Sequence, residues 1–436
     1  MTTKKVIVTI LFISAMMQLS GQDTRISLSI KQSCQLGIEQ NVDVRNSALE
    51  QQKAHYQLKE VQSRLYPQLE ASANLACYKL LIPAAMLGQK MEMGPDYSWS
   101  GGLNLTQLLY SQSYFTSLKL ARRMETLGEL NLQQKKEEII FQVSQLYYLC
   151  QTTNEQIVQL EATLEKMERL LDIVRLQNEQ GIIRKVDYSR ISVNKNNLQT
   201  QVDNLNQLYI QQLGLLKYLI GLPVETEIVL SDSLAFLPAV FFNGSSDLTN
   251  RTELQLLDKK IEMAELNRKI NKQAYLPTLA GFGIYMQGQS KEFEPFNGDK
   301  FYRIGVVGMR MTIPIFDGFE KRSKTRQYDL ELKQLQNTQE NMVDYFSKEY
   351  ADAIIQYNNS YSAVIRQEEN IKLAEETYDV TLQGYRQQVV PLSDLLMSES
   401  GLTEARLSYY NVLMQLKNAE LGVRKAKGEL SLLIEN

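Results

Sequence analysis

Histidine is almost absent from this chain. His55 is the only one in 436 residues, and it sits inside a helical stretch, so no Ser-His-Asp or Cys-His set can be assembled beyond it. Cysteine is scarce too. Cys34, Cys77 and Cys150 are widely spaced and odd in number, which matches neither a disulfide framework nor a zinc pattern. No Gly-x-x-x-x-Gly-Lys phosphate loop occurs, so any energy used must come from a partner. The 47 Lys and Arg nearly balance the 50 Asp and Glu, giving a net charge of −3, without the basic excess that nucleic-acid binding needs. The 15 methionines are scattered, which reads as helix packing rather than a copper path. These absences leave no case for an enzyme, a cofactor or a resident metal. A composition 44% hydrophobic and 22% charged excludes disorder.

Long apolar runs are missing after the N-terminus. Lys4 and Lys5 precede an apolar run from Val6 to Met17, then Leu19-Ser20-Gly21, the order of a secretory signal peptide over 1–21. Gln22 follows, not cysteine, so no lipid attachment is expected there. Downstream no apolar run reaches the ~20 residues of a spanning helix. The exported chain is then either soluble or crosses a membrane as strands.

Helix breakers are missing from two stretches. Phe319 to Gln383, 65 residues, has neither glycine nor proline, and Ser113 to Gln180 has only Gly128. Continuous helix of that length reaches roughly 100 Å, far beyond the ~11–12 residues of an ordinary globular helix. Ile157, Leu160, Leu164, Met167, Leu171 and Val174 recur at spacings of 3 and 4, a coiled-coil seam. Leu198, Val202, Leu205 and Tyr209 continue it on a return helix beginning near Asp187. Residues 27–65 read as a further helix, ended by Tyr66-Pro67.

Between helices the period changes to two. Leu69, Ala71, Ala73, Leu75 and Cys77 alternate with mostly polar residues, as do Tyr97, Trp99, Gly101, Leu103 and Leu105. Strands are expected at about 68–79 and 97–109, long enough to cross a bilayer when tilted. Trp99 and Tyr97 lie where an aromatic girdle would be. A soluble hairpin packed on helices is the other reading of the same alternation. A second pair is expected at about 278–287 and 302–315, with Ala280, Phe282, Ile284 and Met286, then Val307, Met309, Met311 and Ile313, as apolar faces. Arg310 and Lys79 either line a barrel lumen or, for Lys79, snorkel at its rim.

The second pair belongs to a repeat. Tyr66-Pro67-Gln68-Leu69 matches Leu276-Pro277-Thr278-Leu279, and Gly181-Ile182-Ile183 with Asp187 matches Gln388-Val389-Val390 with Asp394, at offsets of 207 to 210 residues. The first half, 22–249, carries a tip turn at 181–186 and an irregular insert at 221–249; the second, 250–436, has its tip turn at 386–391. Each half is helix, hairpin, long helix, helix. Four strands per chain cannot close a barrel in lipid, so several chains must combine, and three would give twelve strands.

This order of elements resembles the TolC family of outer-membrane efflux proteins over nearly all of the mature chain. The resemblance is carried by Tyr66–Leu69, Leu276–Leu279, Ile313-Pro314-Ile315-Phe316-Asp317-Gly318, Asn178-x-x-Gly181 with Asp187, and Gly384-Tyr385 through Asp394-Leu395-Leu396. It implies a mostly α chain with a membrane β-barrel: a homotrimer in which a twelve-stranded barrel in outer-membrane lipid continues into a periplasmic α-helical barrel. It further implies a passive exit duct for small molecules such as drugs or toxic compounds, docked to a periplasmic adaptor and through it to an inner-membrane pump. An exit duct for type I protein secretion is the alternative within the fold, and a soluble periplasmic coiled-coil scaffold the alternative outside it. Gln388 departs from the glycine usual at the second turn.

Under this resemblance the adaptor would meet Gly181, Ile182, Ile183, Asp187, Val389, Val390 and Asp394; local packing within the turns is the other role for the four apolar residues. Asp187 and Asp394 stand where helix N-caps are expected. Asp379 resembles the family's periplasmic gate acid, and Glu375 and Glu376 lie beside it. In a symmetric tube each acid becomes a ring that attracts cations; the plainer reading is a solvated helix face.

Overall fold

The computed structural model describes residues 25–77, 82–86, 89–93, 97–181, 183–236, 248–290 and 302–435. The signal segment expected at 1–21, Lys79 and Ile182 lie outside them. Described residues of Met1–Asn46, Gln133–Thr252 and Val343–Asn436 form one compact unit, and Ser47–Leu132 with Glu253–Met342 form another. Each unit draws on both halves of the chain.

The first unit begins with a correction. Residues 27–65 are not one helix but strand β1 (Ile26–Leu28), helix α1 (Ile30–Gln40) and helix α2 (Val42–Ser63). Ser29 closes a capping box: its Oγ accepts from the Gln32 N–H (3.2 Å) while Gln32 Oε1 accepts from the Ser29 N–H (2.9 Å). Asn41 breaks the run. Its backbone is extended, its Oδ1 accepts from the Asp43 N–H at 2.8 Å, and its Nδ2 donates to the Leu219 carbonyl at 2.9 Å. A short amide that bonds nearby backbone competes with helix continuation.

The insert after Gly221 is also more ordered than its composition implies. Strand β6 (Ile228–Leu230) pairs in parallel with β1. Tyr147, fully buried, clasps this pair: its hydroxyl donates to the Leu28 carbonyl (2.9 Å) and lies 3.1 Å from Asp232 Oδ2, which accepts the Ile30 N–H at 2.7 Å.

The two glycine-poor stretches are single helices, α3 (Gln112–Glu179, 68 residues) and α6 (Glu320–Arg386, 67 residues). Their return helices are α4 (Lys185–Leu219) and α7 (Leu392–Lys427). The seam read from spacing is the buried one: Ile157, Leu160, Met167 and Val174 are 5% exposed or less, and Val202 of α4 is 4% exposed. Among the described residues no helix is long and apolar enough to cross a membrane.

In the second unit, strands β2 (Gln68–Cys77), β5 (Tyr97–Tyr110), β7 (Thr278–Ser290) and β8 (Tyr302–Thr312) form one antiparallel sheet in the order β2-β5-β7-β8. Strand β8 stops short of Pro314, which has no N–H to donate. The stretch between β2 and β5 holds a further antiparallel pair, β3 (Ile82–Met86) with β4 (Gln89–Met93).

Register corrects one face. Residues directly opposite share a face of the sheet. Leu69 faces Leu105, Ala71 faces Leu103, Leu103 faces Tyr285, and Gly283 faces Val307. The apolar faces of β2, β5 and β8 are therefore one surface, and β7 adds Leu279, Gly281, Gly283 and Tyr285 to it. Ala280, Phe282, Ile284 and Met286 lie on the opposite surface, in register with Arg310, Gly308, Val306 and Ile304 and on the same side as Glu70 and Asn104. There Arg310 sits 5.3 Å from the centre of the Phe282 ring. A Cβ on Gly308 would lie 2.9 Å from that ring, so only glycine admits it without a shift.

Helices α4 and α7 end alike. Gly221 (φ +71) and Gly428 (φ +72) both take left-handed backbone, and a Cβ there would meet Gln40 Cβ at 2.6 Å and the Asn250 carbonyl oxygen at 2.9 Å. Each return helix thus closes onto the residues just before the next helix, α2 or α5 (Thr252–Gln273). Left-handed backbone and close approach both select glycine. Gly221→Ala and Gly428→Ala are each expected to destabilise the first unit by about 1–3 kcal/mol, read as a lowered midpoint in circular-dichroism melts of the detergent-extracted protein.

Candidate functional site at the helix tips

Two turns join the long helices to their return helices, and both belong to the first unit. In the first, Gly181 takes φ +74, its N–H donates to the Asn178 carbonyl (2.9 Å), and Asn178 Nδ2 donates to the Ile183 carbonyl (2.9 Å). In the second, the Val389 and Val390 N–H groups both donate to the Gly384 carbonyl, at 2.9 and 3.2 Å. Gln388 takes φ +61, the conformation that glycine supplies at the first turn. A side chain in this region costs of order 1 kcal/mol or more. The departure at Gln388 is thus absorbed as backbone strain, without loss of the left-handed turn.

The seven tip residues divide. Ile183 is half-buried and packs on a cluster formed by Met167, Val174, Ile191, Leu392, Leu395 and Leu396. Val390 is half-buried too, so close to Gly384 that a Cβ there would lie 2.5 Å from its Cγ2. Val389 is 77% exposed.

Asp187 and Asp394 are not N-caps, contrary to the spacing. Arg184 and Pro391 hold those positions, without side-chain capping bonds. Each aspartate stands three residues into its helix, where a carboxylate still favours the positive helix end. Asp187 is largely shielded and takes Arg184 Nε at 3.2 Å and Arg190 Nη1 at 4.0 Å. Asp394 is exposed, and its Oδ1 accepts from Ser393 Oγ at 3.1 Å.

The three acids of α6 also differ. Asp379 and Glu376 are exposed, with no hydrogen-bond or ion-pair partner among the described residues. Glu375 is half-buried and bound to Arg406 Nη2 of α7 at 2.7 Å, so its charge is already matched within the chain.

A cavity of about 840 Å³ opens beside the turns, lined by Lys166, Arg184, Asp187, Arg190, Tyr385 and Arg386 among others. Its lining includes a residue that composition and motif reading passed over. Glu399 is buried on α7, and burial pushes its carboxyl above the usual carboxylate range. Tyr378 of α6 lies beside it and is pushed up to about 12, chiefly by burial and then by the Glu399 charge. The signal was in the spacing: Leu392, Leu395, Leu396, Glu399 and Leu402 make one helical stripe, with an acid in an apolar place.

Comparison with known proteins fits this geometry. A model of the outer membrane efflux protein family matches residues 34–221 and 244–429. The chain belongs to the outer membrane efflux protein family. Its location is accordingly the outer membrane, with the helical part in the periplasm. Among relatives, outer membrane protein TolC of Salmonella enteritidis is 21% identical over 90% of this chain and 80% of its own. The alkaline protease secretion protein AprF of Pseudomonas aeruginosa is 23% identical over 53% of this chain, and the match spans about half of that relative's length, 49%. The crystal structure of the Campylobacter jejuni CmeC outer membrane channel superposes with a TM-score of 0.77 at 17% identity, covering 92% of this chain and 86% of CmeC. The efflux-protein fold thus carries both turns described above.

The strained second turn is open to test. Gln388→Gly should slow tryptic cleavage after the exposed Arg386 severalfold, and Gly384→Ala should speed it about tenfold, equivalent to ~1.4 kcal/mol of local opening. Adding Val390→Ala to Gly384→Ala should restore the original rate.

Proposed function

We propose that the protein is the passive outer-membrane exit duct of a tripartite efflux system, carrying small molecules such as drugs or toxic compounds and performing no covalent chemistry. One observation carries this reading. The sheet is open, with β2 and β8 unpaired at its edges among the described residues, and it presents Leu69, Val307, Met309 and Met311 at 62–91% exposure on one surface. Unpaired edges are not tolerated in hydrocarbon. Three copies of the four-stranded sheet, joined β8 to β2, would close a twelve-stranded barrel with that apolar surface toward lipid.

In this duct the halves 22–249 and 250–436 are a duplicated unit preceded by a signal peptide over 1–21. The tips dock a periplasmic adaptor that reaches an inner-membrane pump. Val389 is the exposed apolar contact, with Gly181, Ile182, Ile183, Val390, Asp187 and Asp394 shaping the turns around it. Asp379 and Glu376 supply free carboxylates for a periplasmic gate, while Glu375, held by Arg406, ties α6 to α7. A second reading, the exit duct of a protein-secretion system, draws support from the partial match to AprF, a secretion protein by name.

The detergent-extracted protein should have three times the chain mass and show three-fold particles in negative stain. A monomer released by salt alone would replace the duct with a soluble scaffold. In planar bilayers the Asp379→Ala, Glu376→Ala double variant should lose cation preference relative to the parent; an unchanged preference would remove both residues from the constriction.

A further inference from the structure

Glu399 is 7% exposed, and its Oε2 meets no hydrogen-bond partner among the described residues. It stands where two cavities meet, the tip cavity of about 840 Å³ and a second of about 390 Å³. The groups around it come from all four helices of the two hairpins. From α3 comes Lys166; from α6 come the Tyr378 hydroxyl and, through Arg406, Glu375. Its own helix α7 supplies Arg406 and, across the smaller cavity, Glu404, while α4 presents uncharged Asn194, Asn197 and Gln201 there; the larger cavity adds Arg169 of α3, Asp187 and Arg190 of α4, Arg184 of the turn and Arg386 of α6.

Neither cation neutralises Glu399 by a direct ion pair. Arg406 is engaged with Glu375, and Lys166 is exposed on its helix. A buried carboxylate without a close countercharge is disfavoured, so packing shifts the balance toward the neutral acid. Burial raises the Glu399 carboxyl above its ordinary value, and Lys166, Tyr378 and Arg406 offset this only in part.

We propose that Glu399 is a proton-linked latch: protonated, it holds α7 against α3 and α6 beside the tips, and ionised, it loosens them. The proposal deepens the duct reading and rests on it. The sign follows from linkage. Released from packing, the carboxyl returns to its lower, ordinary value, so the packed state keeps its proton to higher pH. Packing is then strongest below the ordinary glutamate value, weakens as pH rises from there through the raised value, and stays at its weakest above it. Such a duct would close in acid.

The test is the conductance of the full-length protein in planar bilayers, with pH stepped from acidic to neutral on both sides. The parent should conduct more as pH rises. Glu399→Gln, which mimics the neutral acid, should stay at the parent's acid-side level at every pH. Tyr378→Phe removes a donor that favours the carboxylate, so its transition should move to higher pH. A Glu399→Gln channel that titrates like the parent overturns the latch. A second measurement needs no variant: amide exchange between Leu395 and Leu402, corrected for intrinsic rates, should be at least tenfold slower on the acid side, and equal protection at both pH values overturns the latch too. Channels that form with pH-independent conductance overturn the latch alone. A protein that inserts no channels overturns the duct reading, and the latch with it.

Discussion

Backbone hydrogen bonding in hydrocarbon is the constraint on which the rest of this structure depends. A strand buried in lipid must pair on both sides, because each unsatisfied N–H or C=O there costs several kcal/mol. Among the described residues this chain provides four strands of 10 to 14 residues and leaves the outer edges of β2 and β8 free. The sheet is therefore incomplete as an object in a membrane, and its composition is incompatible with remaining an isolated sheet in water. Val307, 91% exposed, and Met309, 75% exposed, lie on the same surface as Leu103 and Leu105. A soluble sheet would cover that row with a helix. Here the helices leave it bare, and strand length matches a tilted bilayer crossing.

The helical part answers a different demand. Helices of 67 and 68 residues tolerate few breakers, and glycine is concentrated where chain reversal needs it. Gly181, Gly221 and Gly428 all take left-handed backbone at helix ends. The second tip turn has Gln388 in that place, so the two hairpins are alike in path but unequal in strain. The inequality extends to burial. Ile183 at the first tip packs inward, whereas Val389 at the second projects outward.

How much of this could be read in the residues depends on the range of the interaction. Coiled-coil seams and strand alternation are local, and Ile157 through Val174 and Leu69 through Cys77 declared themselves by spacing alone. Register is not local. In β7 the alternation pits Ala280, Phe282, Ile284 and Met286 against Gly281 and Gly283, so hydrophobicity selects one surface while pairing with β5 and β8 puts the glycines on the lipid-type surface. A Cβ at Gly281 or Gly283 would meet Leu109 or Leu105 side-chain atoms only at ordinary contact distance, 3.6 to 4.0 Å, so close approach does not account for glycine at these two positions. The β1–β6 pair was invisible for a similar reason, since its strands lie about two hundred residues apart and each has only three residues. Asn41 and Glu399 are intermediate cases. A lone asparagine or an acid within an apolar stripe is a local signal, yet its meaning depends on Leu219 in one case and Tyr378 in the other.

The charges at the tips sort the two hairpins by role. At the first, Asp187 is consumed by Arg184 and Arg190, though Gln177 Oε1 is buried there without a partner among the described residues. At the second, Glu375 is held by Arg406 across α6 and α7, but Asp379, Glu376 and Asp394 remain exposed, and Glu399 is buried with one oxygen unpartnered. Strain at Gln388 and an unmatched buried acid are both carried by residues of the second hairpin. A duct that opens by moving one hairpin would move the one whose packed state is least stable. In the proposed duct, α6 and α7 would on these grounds be the pair to move, and α3 with α4, whose seam is buried, the frame they move against.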